Sequence, residues 1–161
     1  MMDILDYQTL KWIHILSSTF LFGTGVGSAF YKFLADRRGN LDNIAYTNRH
    51  VVWADWLFTT PTVIIQPVSG VMLARVVGFP LDSDWLLVSM VLYAFMVACW
   101  LPVVVMQIRM ERLSTAAMDR GTALAEDYTR LVRNWTILGV LAFIAMIAVY
   151  YLMVFKPTIW S

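Results

Sequence analysis

An all-α fold, a bundle of four transmembrane helices with both termini on the outer side of the membrane, is what this sequence predicts. Three observations carry the prediction. The 161 residues are 60% hydrophobic and 14% charged, whereas a soluble domain of this size is roughly half apolar and about a quarter charged. The apolar residues fall into four runs, about 7–35, 48–74, 85–108 and 131–155, each near or above the ~20 residues with which a helix crosses hydrocarbon. The cations, finally, lie unequally between the connections. The whole chain, 1–161, reads as a single transmembrane domain.

The first run follows Asp3 and Asp6 rather than a basic region and is too long for a signal peptide, so it reads as an uncleaved first span. The second and third contain Pro61, Pro67 and Pro102. In lipid the backbone must satisfy its own hydrogen bonds, so these positions predict kinked helices rather than ends. The first connection, 36–49, carries the charged stop Arg37-Arg38-Gly39-Asn40. The second is a short turn with Gly78, Pro80, Asp82 and Asp84. The third alternates charge with small apolar residues, as in Met110-Glu111-Arg112-Leu113 and Ala123-Leu124-Ala125-Glu126. That pattern predicts that helices three and four run beyond the bilayer as a charged hairpin.

Of the twelve lysines and arginines, nine flank the first and third connections: Lys32, Arg37, Arg38, Arg49, Arg109, Arg112, Arg120, Arg130 and Arg133. Lys11, Arg75 and Lys156 are on the other side. Positively charged loops stay in the cytoplasm, so both termini are expected outside, in a multi-pass protein of the cell (inner) membrane. A net charge of +1 gives no reason to expect nucleic acid. The single cysteine, Cys99, excludes an intrachain disulfide and a CxxC redox pair, and there is no phosphate-binding glycine loop and no HExxH.

Polar groups within the spans are costly and usually face the bundle interior, so they are the candidates for function. Helix one carries His14, with Ser18, Gly25, Ser28 and Lys32 on the same face; Gly25 and Ala29 form a small-xxx-small pair suited to close helix approach. Helix two carries a stripe, Asp55, Thr59, Thr62, Gln66 and Ser69, at steps of four, three, four and three. A start near Thr47 places Asp55 roughly 12 Å into its helix; there it is either paired, with an arginine such as Arg109 or Arg133, or protonated. Counting residues from the helix ends makes His14 level with Gln66 and puts His50 on the opposite side of the bilayer. The two histidines therefore cannot be the two axial ligands of one haem. A haem at the outer level would take His14 alone or with a methionine; Met72, Met90, Met146 and Met153 lie within about two turns of that depth. His14 also suits an interhelical hydrogen bond or a quinone contact, and the threonines and Ser69 suit packing.

Two segments carry a resemblance. Lys11-Trp12-Ile13-His14-Ile15 followed by Phe22-Gly23, and Pro61 followed by Gly70-Val71-Met72-Leu73, resemble the first two helices of the CopD and HemJ-like group of small membrane proteins. That group includes copper-resistance proteins and a membrane protoporphyrinogen oxidase. Asp55-Trp56-Leu57-Phe58-Thr59-Thr60-Pro61, and Trp100-Leu101-Pro102 with Gln107, resemble an uncharacterised family of predicted bacterial integral membrane proteins in the same group. The resemblance implies haem b bound through His14, but the oxidase's other functional positions, in helices three and four, are not matched here.

The resulting expectation is a haem-binding membrane protein with an electron-transfer role near the outer face. His14, Gln66 and Met72 would lie around the cofactor, with Asp55, Thr59 and Thr62 as further polar groups in the membrane. The lipid bilayer, a quinone or another redox carrier, and a second copy of the chain are the partners considered. Membrane oxidoreductase activity of the HemJ type is the candidate chemistry. The rival classes are a cofactor-free subunit for transport or complex assembly and a copper-handling protein using His14 and methionines.

Overall fold

The structure, a computed structural model, describes residues 4–160. It contains five α-helices, no strand among the described residues, and four helical rods long and apolar enough to cross a membrane. These are α1 (Ile4–Arg38); α2 (Leu41–Ala54) continued through a π-helical turn, Asp55–Thr59, into α3 (Thr60–Val77); α4 (Asp84–Arg120); and α5 (Glu126–Phe155). The longest seam joins α4 to α5; α1 packs on α3 and α2, and α2 packs on α4. The end carrying Arg37, Arg38 and the α4–α5 turn is called here the basic end, and the opposite one the terminal end.

The distribution of side chains inverts that of a soluble protein. Trp12, Phe30, Trp53, Leu57, Ile64, Val91, Ile144 and Val154 are all more than half exposed, while Lys32, Asn48, Asp55, Thr59, Thr62, Ser69, Ser89, Gln107 and Ser114 are buried. Apolar groups cover the outside because hydrocarbon is the solvent there; polar groups turn inward because only other helices can hydrogen-bond them.

Helix two begins earlier than expected. Asn40 caps α2 by accepting from Asn43 N–H at 2.9 Å, so only Gly39 and Asn40 separate α1 from α2, and residues 41–49 are helix instead of connection. Ile44, Ala45, Asn48 and Val51 form the buried stripe of this added segment. Asp55 consequently lies about 21 Å from the start of the rod, deeper than the 12 Å expected from a start at Thr47.

The prolines have identifiable compensations. Pro67 has no N–H to offer Val63, four residues earlier, and the Tyr93 hydroxyl donates to the Val63 carbonyl at 2.6 Å. Pro61 stands just after the π turn, in which Thr60 N–H bonds back five residues to the Asp55 carbonyl and the Thr60 hydroxyl donates to the same oxygen at 3.1 Å. At the basic end α4 and α5 form a hairpin, turned at Gly121, whose φ of 62° is left-handed. At the terminal end the Asp84 carboxylate accepts from the N–H groups of Ile159 and Trp160, both at 3.0 Å.

Close approach of a helix to Gly25 does not occur among the described residues. A Cβ built on Gly23, Gly25 or Gly27 would meet no atom within 4 Å. Near this level α1 reaches α5 through long side chains instead: Phe22 meets the Phe143 ring at a tilt and the Tyr150 ring edge to face, and the Tyr150 hydroxyl donates to the Ser18 carbonyl at 3.1 Å.

Candidate functional site

At the terminal end α1 and α3 bring together His14, Ser17, Gln66 and Ser69. The Ser17 hydroxyl donates to Gln66 Oε1, which turns the amide nitrogen of Gln66 toward His14 Nε2, 3.2 Å away. An amide nitrogen has no lone pair to accept with, so His14 Nε2 is the acceptor and the ring proton sits on Nδ1. Nδ1–H then donates to Ser69 Oγ at 2.9 Å, and the Ser69 hydroxyl donates onward to the Ile65 carbonyl at 2.7 Å. One relay of donors therefore fixes both the tautomer and the plane of the imidazole.

The ring lies against Gly70. A Cβ there would stand 3.1 Å from His14 Cε1, so a side chain at position 70 would press on the imidazole. Ser17 and Ser69 are buried, and His14 and Gln66 are half-buried. The depth count that made His14 and Gln66 level thus corresponds to a direct hydrogen bond. Met72 is 46% exposed and Met90 38%, and Met72 has no part in this relay. Ser18, expected on the His14 face, gives way to its neighbour Ser17.

Midway along the bundle the stripe of helix two faces inward as its spacing predicted, with Asp55, Thr59, Thr62 and Ser69 all buried. Neither Arg109 nor Arg133 pairs with Asp55, contrary to one of the two expectations for it. Its Oδ1 accepts from Trp100 Nε1 at 3.1 Å, while Oδ2 has no partner among the described residues. The Thr62 hydroxyl donates to the Phe58 carbonyl at 2.7 Å, a backbone bond rather than a bond between helices. Gln107 Oε1 is likewise buried without a partner.

The basic end holds a cluster that the sequence did not reveal. Lys32, 1% exposed, donates to Asp36 Oδ2 at 2.9 Å, Asn48 Oδ1 at 2.9 Å and the Tyr128 hydroxyl at 3.1 Å. The Tyr128 hydroxyl donates to Asp36 Oδ1 at 2.7 Å, and Asn48 Nδ2 donates to Tyr128 and to Ser114 Oγ, both at 3.0 Å. The ammonium also lies 5.2 and 5.7 Å from the ring centres of Tyr128 and Trp135. Four membrane rods contribute to this one cluster. A free lysine near a helix end ordinarily extends to water; the available signal was Asp36, one turn beyond Lys32, with Asn48 and Tyr128 near the neighbouring helix ends.

His50 is exposed on α2, where its Nδ1 bonds to the Tyr46 carbonyl at 2.7 Å and its ring stacks on Tyr46. Among the described residues no three His, Cys, Asp or Glu side chains converge as a metal site, and Cys99 is a buried free thiol.

Helical rods with an apolar outside and a polar inside define a multi-pass integral membrane protein in contact with lipid. The chain belongs to the family described as predicted integral membrane protein (DUF2269), whose model matches residues 8–157. No curated protein and no solved structure matches it.

Proposed function

We propose that the His14 cluster is the ligand end of a haem b site and that the protein serves electron transfer near the terminal end of the bundle, facing outward as the cation asymmetry implies. The observation that carries this reading is the orientation of His14. An imidazole that ligates a metal donates its other ring N–H to a fixed acceptor, and Nδ1–H to Ser69 Oγ meets that requirement. The atom left to ligate is Nε2, held at present by an uncharged amide that can be exchanged. The donor set therefore fits a haem with one protein ligand from His14. Gln66, anchored by Ser17, remains beside the ligand as a hydrogen-bond donor, and Gly70 keeps the ring unobstructed. Methionine ligation by Met72 has less support, since that side chain is half exposed.

The cofactor would supply one-electron chemistry, with a quinone or another carrier as its exchange partner and a small hydrophobic molecule as the substrate of any oxidase activity. The resemblance of the His14 and Pro61–Gly70 segments to the CopD and HemJ-like group supports the same reading, within a bacterial inner membrane. A second reading has its own observation. Both ring nitrogens of His14 already have partners within the chain, as in a cofactor-free clasp between α1 and α3 in a transport or assembly subunit.

Optical spectroscopy separates the two. Protein purified from haem-replete cells should show a Soret band that shifts on reduction with dithionite. His14→Ala should abolish or strongly alter it, and His50→Ala should leave it nearly intact. Wild-type protein that stays colourless after haem supplementation, with a stability that added haem does not change, overturns the haem reading and favours the clasp.

A further inference from the structure

The α4–α5 hairpin contains a charged cavity that neither the haem reading nor the clasp reading uses. About 410 Å³ in volume, it is lined by Arg109 and Arg112 of α4, Arg130 of α5, and the apolar side chains of Leu113 and Leu131. A neighbouring hollow shares Arg130 and adds Arg133 with Glu126 and Thr129. Within each helix the two arginines are three residues apart and so share a face. The acid at the rim, Asp127, lies 3.8 Å from Arg130 with both side chains about 70% exposed, a weak pair in water. Arg109, Arg112 and Arg133 have no acidic partner within ion-pair distance among the described residues.

Depth identifies what such a cavity meets. About 20 residues of helix cross the hydrocarbon. Counted from Phe155 at the terminal end, that length of α5 ends near Trp135 and leaves Arg133 and Arg130 about 3 and 8 Å beyond it. Counted from Trp85, it ends near Val105 in α4, with Arg109 and Arg112 about 6 and 10 Å beyond. A headgroup layer roughly 5–8 Å thick on each side spans the depths of Arg109, Arg130 and Arg133, and Arg112, starting about 2 Å outside it, reaches back on a long side chain. Guanidinium groups match phosphate oxygens in pairs, and the apolar floor suits the glycerol and upper acyl chain of a lipid. We propose that this cavity binds the phosphate group of an anionic phospholipid from the leaflet at the basic end, with Arg109, Arg112 and Arg130 as its ligands.

The test measures the melting temperature of the full chain in a neutral detergent with added phosphatidylglycerol, phosphatidylcholine or inorganic phosphate. Phosphatidylglycerol should raise it by about 4 °C or more and the other two should not. The rise should be lost in Arg109→Gln/Arg112→Gln/Arg130→Gln and kept in Arg37→Gln/Arg38→Gln, which removes charge from the other connection at the same end. Should the triple variant fail to fold, native mass spectrometry of Arg112→Lys replaces it; retained charge without the guanidinium fork should reduce the count of bound phosphatidylglycerol. An equal response to inorganic phosphate would show that the source is a soluble anion, and equal losses in the two glutamine variants would show unlocalised attraction. Either result overturns the proposal.

Discussion

At the basic end of the bundle, an ammonium, a carboxylate, an amide, a phenol and a hydroxyl from four membrane rods complete one another's hydrogen bonds. At the terminal end, an imidazole, an amide and two hydroxyls do so from only two helices, α1 and α3. The first cluster is charged and nearly sealed: Lys32 and Ser114 are 1% and 0% exposed, and all three ammonium protons have acceptors. The second is uncharged and half-buried, and its key bond, Gln66 to His14 Nε2, joins two neutral groups. A buried charge that loses its partner is severely penalised, whereas a neutral amide is exchanged at small cost. The Lys32 cluster is therefore the costlier of the two to disturb, and exchanging the amide of the His14 cluster is the cheaper change.

That contrast is broken or sharpened by substitution at either end. Lys32→Met keeps the length of the side chain but strands Asp36, and should destabilise by about 3–5 kcal/mol in reversible unfolding from detergent. A loss below that of His14→Ala would reverse the ranking of the two clusters. Tyr128→Phe removes one hydroxyl that accepts from Lys32 and Asn48, and should cost about 1–3 kcal/mol in the same assay, with no effect on any Soret band. Gly70→Ala presses a methyl on His14 Cε1 and should cost about 1 kcal/mol. It should also perturb the His14 imidazole resonances, read by NMR of histidine-labelled protein, while those of His50 stay fixed. His50→Ala, on an exposed ring, should change stability by less than about 0.5 kcal/mol. A larger change would mean that the basic end reaches beyond the Lys32 cluster.

The spans were legible in the sequence because hydropathy responds to the solvent, and four long apolar runs admit few other folds. The hairpin between the third and fourth spans was legible because charges alternate with small apolar residues there. The start of α2 was missed: Asp42, Asn43 and Arg49 read as a connection, although Asn40 with Asn43 is a cap and Ile44, Asn48 and Val51 keep helical period. That His14 and Gln66 are level followed from counting depth, which survives a moderate error in where a helix begins; their hydrogen bond did not. The Lys32 cluster did not, because its members come from segments 96 residues apart and a terminal lysine is normally solvated. The Gly25–Ala29 pair was answered only in part: Ala29 packs against the core, whereas no helix among the described residues closes on Gly25.

The π turn stands between the two clusters on one rod. Five residues, Asp55–Thr59, occupy a place where a regular helix fits four, and Asn48 lies below this turn while Gln66 and Ser69 lie above it. Were the extra residue taken back into α-helical winding, the upper rod would swing by about 100° and rise about 1.5 Å relative to the lower. Gln66 and Ser69 would then leave His14 while Asn48 kept its hold on Ser114. Removing a single lipid-facing residue of the turn, such as Leu57, would instead restore regular winding with both ends still in phase. The winding of this one turn thus sets where Gln66 and Ser69 point about the rod axis relative to Asn48.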